Sequence, residues 1–330
     1  MAKEIVFLEA DKEDEKQIKK EFPNAKIFPG VLEGDALIQA CEGAEIVSCF
    51  IYTQFTKKIL EKLPKLKLIC TRSVGYNHID VPTCKKKKVT VCHVPDYGSH
   101  IIAEHVFALI LSTFRHIPEA DDRVEVGLFD YHGLRGMSLK DKTIGIVGTG
   151  KIGSYVAKIA SGFGMKILAV DMHENPDLVE QYGVKYVELK DLLKKSDIIT
   201  LHLPAIKATH HILNKKAFEE MKKGVVLVNT ARGELIDSDS LLDSLKTGKV
   251  KYALLDVMEH EKNFEENKEL IGHPNAITTP HIAFYAEESM RNMYEDCFDS
   301  IEEWEKGEEP EHLIKPLRSA SDPSSAKKSK

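Results

Sequence analysis

The sequence predicts an α/β protein of two doubly wound parallel-sheet domains, and three observations carry that reading. Short β-branched runs alternate with charged, helix-period stretches in two separate series. At ~100–200 residues per domain, 330 residues make about two domains. The second series also opens on a glycine-rich turn placed directly between a strand run and a helix pattern.

The first series reads Ile5-Val-Phe-Leu8, Glu45-Ile-Val-Ser-Cys-Phe-Ile51, Leu66-Lys-Leu-Ile-Cys70 and Val89-Thr-Val-Cys-His-Val94. Strands buried on both faces give such continuous apolar runs. Ser99 is then expected to N-cap a long helix whose apolar positions Ile102, Val106, Leu109, Ile110 and Thr113 recur at helical spacing, a candidate bridge between domains. The second series holds six runs: Thr143–Val147, Lys166–Val170, Asp197–Leu201, Val225–Val228, Tyr252–Leu255 and Ala276–Thr279. Six strands suit one dinucleotide-binding sheet. The stretch 318–330 has no large apolar residue and is expected to be a disordered tail.

Composition removes several classes of function. Apolar residues are 42% and charged residues 30% of the chain, near globular averages. The 46 Lys and Arg against 52 Asp and Glu leave a net charge of −6, which gathers neither nucleic acid nor an anionic membrane. The most apolar run, Val106 to Leu111, is far short of the ~20 residues that span a bilayer, and the N-terminus has no signal-peptide layout, so a cytoplasmic protein is expected. Six cysteines without a C-x-x-C pair read as small buried hydrophobes in a reducing compartment.

The turn Gly148-Thr-Gly-Lys-Ile-Gly153 carries the first chemistry. Gly148 suits a tight turn, Gly150 leaves room for a pyrophosphate and Gly153 permits close helix-to-strand packing. Lys151 and Ile152 open the helix, whose N-terminus offers N–H groups and a positive dipole to phosphate. Asp171 lies 21 residues after Gly150, where an acid grips a ribose diol and repels a 2′-phosphate, so NAD is favoured over NADP. Arg232, Glu261 and His281 each lie just beyond a strand run of the same half. Taken singly they are ordinary loop residues. Together they meet the demands of reducing a 2-keto acid: a cation for the carboxylate, a proton donor for the carbonyl oxygen and an anion that favours the donor's protonated form.

The blocks Arg72–Asp80, Val94–Gly98 with Ala103-Glu-His105, Leu201-His-Leu-Pro204, Val228–Gly233, Leu255–Glu261 and Pro280–Tyr285, in order around that turn, make the chain similar to the D-isomer-specific 2-hydroxyacid dehydrogenases. The resemblance implies two Rossmann-like or flavodoxin-like domains with a cleft between them. The substrate domain would be discontinuous, 1–98 plus 287–330, and the NAD-binding domain 99–286. It implies that Arg232 holds the substrate carboxylate together with the backbone N–H groups of Val74 and Gly75, that His281 is the general acid and that Glu261 pairs with it. Asp256 would orient the nicotinamide side, and Leu203, Pro204, Thr209, Thr230 and Ala231 match cofactor-contacting positions. Ala283-Phe-Tyr285 and Met290-Arg-Asn-Met293 resemble the D-lactate dehydrogenase branch, in which Phe50, Tyr97 and Phe284 would form an apolar pocket for a small side chain.

The implied activity is NAD-dependent, reversible reduction of pyruvate to D-lactate by a homodimer. A dehydrogenase for hydroxypyruvate or a bulkier 2-keto acid is the nearest alternative. An NAD-sensing corepressor-like scaffold is an alternative of another class. No metal is expected, since His100-Ile-Ile-Ala-Glu-His105 misses the zinc spacing by one residue. His210 and His211 are expected on different helix faces in solvent, and Lys85–Lys88 as a soluble turn or helix end.

Overall fold

The computed structural model describes residues 3–314, so the expected tail 318–330 lies outside the described residues. The chain divides into two compact units, Met1–Tyr97 with Glu287–Lys330, and Gly98–Ala286. Each contains one all-parallel sheet with helices, as the composition of the runs predicts.

The first unit holds β1 (Ile5–Leu8), β2 (Lys26–Phe28), β3 (Ile46–Cys49), β4 (Leu68–Thr71) and β5 (Thr90–His93), in the order β2-β1-β3-β4-β5. That is the flavodoxin-like doubly wound order. The strand β2 has no counterpart among the predicted runs. It is three residues at the sheet edge, exposed or half-buried, and so needs no apolar run. Asp11 starts the first helix, Lys12–Glu21, by a capping box with Asp14. The helix Glu287–Lys306 returns to cover β4 and β5, and residues beyond it pair antiparallel with β5 through His93 N to His312 O and Ile314 N to Val91 O.

The second unit holds β6 (Thr143–Val147), β7 (Lys166–Val170), β8 (Lys185–Tyr186), β9 (Ile198–Leu201), β10 (Val225–Asn229), β11 (Val250–Leu255) and β12 (Ala276–Thr278). Their order is β12-β11-β10-β9-β6-β7-β8, one strand more than predicted. The extra strand, β8, is a two-residue edge strand too short to show periodicity. On one face Val106 and Ile110 of the helix Ser99–Phe114, with Val156 and Ala160 of the helix Lys151–Gly162, pack against Ile144, Ile146, Val226 and Val228. On the other, Leu192, Phe218, Leu241 and Leu245 cover Val147, Ile199 and Leu227. Each such fully buried aliphatic side chain stabilises the fold by ~1.5–3 kcal/mol. Ile146→Ala would open a cavity between the layers and cost about 2–5 kcal/mol.

Ser99 is not the N-cap expected from sequence. Gly98 occupies the cap position and Ser99 is already helical and buried. All six cysteines are free and buried. Among the described residues no helix is long and apolar enough to cross a membrane.

Candidate active site

Because every strand of the second unit runs parallel, the loops after β6, β7, β9, β10, β11 and β12 leave the sheet at one edge. Gly148, directly after β6, has φ of +98°, and a Cβ there would meet His202 O at 2.8 Å. At Gly153 a Cβ would sit 2.0 Å from Gly148 O, so the helix can approach the strand only without a side chain. Gly150 is the N-cap of the helix Lys151–Gly162 and brings no side-chain acceptor to its first turn; space around it is open to 4 Å.

Asp171 follows β7 and reaches back across this turn. Its Oδ2 accepts the Thr149 N–H at 2.6 Å and the Thr149 hydroxyl at 3.2 Å, and its Oδ1 accepts the His173 N–H at 3.0 Å. Partial burial works to raise its pKa, but these donors outweigh it and hold the carboxyl below the ordinary value. Thr149 is held in turn by Tyr186 of the unforeseen β8, hydroxyl to hydroxyl at 2.9 Å.

The neighbouring strands β10, β11 and β12 deliver the three residues singled out for chemistry. Asn229 ends β10 and folds the following turn, accepting the Ala231 N–H at 3.0 Å and donating to Arg232 O at 2.8 Å. Thr230 is buried there, and its hydroxyl has no hydrogen-bond partner among the described residues. Arg232 donates through Nη1 to Ala231 O.

Asp256 follows β11 and is 1% exposed. Its carboxylate accepts the Thr279 hydroxyl at 2.5 Å and the N–H groups of Ile282 at 2.9 Å and Ala283 at 2.8 Å. That places it under the turn carrying His281, a position the sequence did not foresee for it. His281 itself has φ of +56°, and its N–H donates to Asp256 O and Thr279 O. A left-handed non-glycine backbone costs about 1–3 kcal/mol and needs such support. His281 Nδ1 then lies 3.0 Å from Glu261 Oε2 and 3.3 Å from Oε1. The pair is shielded unequally, with 15% of the histidine side chain and 33% of the glutamate exposed. The Phe284 ring meets the imidazole edge-on, centroids 6.3 Å apart.

Two other histidines stand at this edge. Burial pushes His202 down to about 3, and its Nε2 faces the Thr200 hydroxyl at 2.9 Å. His105 is also lowered by burial, against the pull of Asp256. Leu203 and Pro204 follow β9, and Thr209 ties their loop by donating to Pro204 O at 2.6 Å and accepting the Ile206 N–H at 3.0 Å.

In the first unit the expected substrate residues sit on loops after β3, β4 and β5. Phe50 is half-buried and Tyr97 is 8% exposed. The loop after β3 is held by Glu9, unforeseen from sequence, whose carboxylate accepts the N–H groups of Phe50 at 3.1 Å, Tyr52 at 2.9 Å and Thr53 at 3.2 Å. Thr71, Ser73 and the buried His78 shape the loop of Val74 and Gly75: Thr71 Oγ1 is 2.7 Å from Ser73 Oγ and 3.1 Å from His78 Nε2, and Ser73 donates to Gly75 O at 2.7 Å.

The family model described as "D-isomer specific 2-hydroxyacid dehydrogenase, NAD binding domain" matches residues 107–283. This chain belongs to that family. Among its relatives, the Escherichia coli D-lactate dehydrogenase is 34% identical over 319 residues, 92% of this chain and 97% of that protein. An aromatic 2-oxoacid reductase of Clostridium sporogenes is 36% identical, covering 82% and 86%. Among solved structures, the Aquifex aeolicus D-lactate dehydrogenase complexed with NAD and lactic acid superimposes with a TM-score of 0.83 at 36% identity, covering 92% and 96%.

The residues of this 2-hydroxyacid dehydrogenase fit NAD. Gly150 is open where a pyrophosphate needs access to the helix N-terminus, and the unpartnered Thr230 hydroxyl lies in the turn after β10. Asp171 at the end of β7 has a carboxylate that would suit a ribose diol and oppose a 2′-phosphate.

Proposed function

We propose that the protein is an NAD-dependent D-lactate dehydrogenase, reducing pyruvate to D-lactate. The observation that carries the chemistry is the His281–Glu261 pair. Glu261 faces Nδ1, so Nε2 is the atom left to give a proton. In this reading Arg232 forks onto the substrate carboxylate. His281 Nε2 gives its proton to the carbonyl oxygen as the keto carbon becomes an alcohol, and the Glu261 carboxylate stabilises the imidazolium beforehand and orients the ring. The hydride that balances that proton would come from NADH when it is bound. Asp256 supports the turn from which His281 projects, and Lys151, Ile152, Leu203, Pro204, Thr209, Thr230 and Ala231 line the cofactor's side.

The choice of pyruvate follows the resemblance of Phe50, Tyr97 and Phe284 to the residues that take a small side chain in the D-lactate dehydrogenase branch. The similarity to D-lactate dehydrogenases over nearly the whole chain supports the same reading. We further read the protein as a cytoplasmic homodimer. Six free cysteines suit a reducing compartment. Val126 at 75%, Phe129 at 95% and Tyr131 at 80% exposure form an apolar segment suited to a second copy.

A panel of 2-keto acids followed by NADH absorbance, with both product enantiomers assayed, tests the substrate. Pyruvate is expected to have the highest kcat/KM and D-lactate to be the product. Preference for phenylpyruvate would move the protein to the aromatic reductases, and no turnover of any 2-keto acid would sink the catalytic reading. Light scattering across a concentration series tests the dimer, which a monomer throughout would overturn.

A further inference from the structure

The pair His210-His211 is not on a helix and not wholly in solvent, contrary to expectation. It lies in the turn after β9, with His210 exposed, His211 half-buried and the two rings packed with centroids 3.9 Å apart. His211 Nε2 is 2.6 Å from Glu259 Oε1. One ligand atom from each of His210, His211 and Glu259 falls within a mutual 4.8 Å.

We propose that these three residues form a site for a divalent transition cation of the Zn²⁺ or Co²⁺ type, separate from the His281–Glu261 pair. Two imidazoles and a carboxylate are a donor set that borderline cations favour, and a solvent molecule beside the exposed His210 would complete four-coordination. Bonds of about 2.0–2.1 Å put tetrahedral ligand atoms roughly 3.4 Å apart, between the 2.6 Å of His211 Nε2 to Glu259 Oε1 and the 4.8 Å that bounds the set.

The surroundings have the form of an outer shell. Glu259 Oε2 is already fixed by the Ser238 N–H at 3.1 Å and the Ser238 hydroxyl at 2.8 Å, which leaves Oε1 toward the imidazoles. His211 Nδ1 lies 4.0 Å from Asp237 Oδ2. A carboxylate beside the second ring nitrogen favours the Nδ1–H tautomer, which frees Nε2 to bind a metal. The Asn267 side-chain amide donates to Glu259 O at 2.8 Å and His260 O at 3.1 Å, so the turn presenting Glu259 is held from behind.

Co²⁺ titration of the full-length protein, read by the visible absorption of a four-coordinate cobalt centre and by Zn²⁺ displacement, tests the site. One Co²⁺ per chain is expected, displaced by Zn²⁺. Affinity should fall at least 10-fold in His210→Ala and Glu259→Gln, about 10-fold in Asp237→Asn, and stay unchanged in His281→Ala. His210 is exposed, so its truncation keeps the test independent of folding. Binding that survives His210→Ala, binding lost in His281→Ala, or no cobalt absorption in the unmutated protein at about 1 mM Co²⁺ would each overturn the proposal.

Discussion

The two units use one architecture in opposite ways. In the second, polar residues gather at the ends of strands, and each is fixed by neighbours close in sequence or on the adjacent strand: Asn229 folds the Arg232 turn, and Asp256 holds the His281 turn. In the first, the decisive polar residue is inside. Arg72 is 1% exposed and donates to Ser48 Oγ, Leu8 O and Glu9 O, each at 2.8 Å, with its guanidinium 5.0 Å from the Tyr294 ring and 5.9 Å from the Phe7 ring. It ties β1, β3 and β4 to the returning helix, and Glu9, whose carbonyl it fixes, in turn sets the Phe50 loop. The second unit thus sets its buried carboxylate, Asp256, under one turn at the end of its strands, and the first sets a buried cation among three strand ends at once.

The sharpest test of this contrast is His281→Gln, which should lower kcat for pyruvate ~10²–10⁴-fold, the loss expected on removing a positioned acid. NADH affinity by fluorescence titration should stay near native. A variant with native turnover would break the contrast on the catalytic side.

Arg72→Met should act on stability. Three acceptors lose a charged donor at once, and the expected cost is about 3–5 kcal/mol in urea unfolding. If the units are as independent energetically as their separate cores imply, NADH binding should persist at urea concentrations where pyruvate turnover has gone. Loss of both together would show a single cooperative unit.

Asp171→Ala should weaken NADH binding ~10–100-fold, the value of hydrogen bonds to a charged group, and narrow the preference over NADPH. Competition between the two coenzymes in initial rates measures it, and an unmutated protein indifferent to the 2′-phosphate would remove Asp171 from the cofactor's side.

Phe50→Ala should lower kcat/KM for pyruvate while raising it for bulkier 2-keto acids, a shift of ~1–3 kcal/mol per methylene-sized change. Equal loss on all substrates would place Phe50 outside the pocket.

The smallest expected effect is at Glu261, whose carboxylate faces His281 Nδ1 and orients the ring. Glu261→Gln should lower kcat for pyruvate about 5-fold with NADH affinity near native. An unchanged kcat would take Glu261 out of the proton transfer.

Much of this protein is legible in the chain itself. Continuous apolar runs mark buried parallel strands, because both faces of each must be covered. Gly148 and Gly153 mark a turn where a side chain would collide with the backbone, and residues just past a strand end must emerge at the sheet edge. Tertiary structure alone decided the rest. The edge strands β2 and β8 are too short and too exposed to carry a pattern. Glu9 looks like any charged residue after a strand until three N–H groups from residues 50–53 need an acceptor. Asp256 accepts N–H groups of the turn that carries His281, a role beside the cofactor-side one that the resemblance implies, and His211, read as solvated, meets Glu259. The physical reason is common to these cases. Hydrogen-bond satisfaction and the burial of charge depend on which distant segments pack together, and local periodicity holds no record of that.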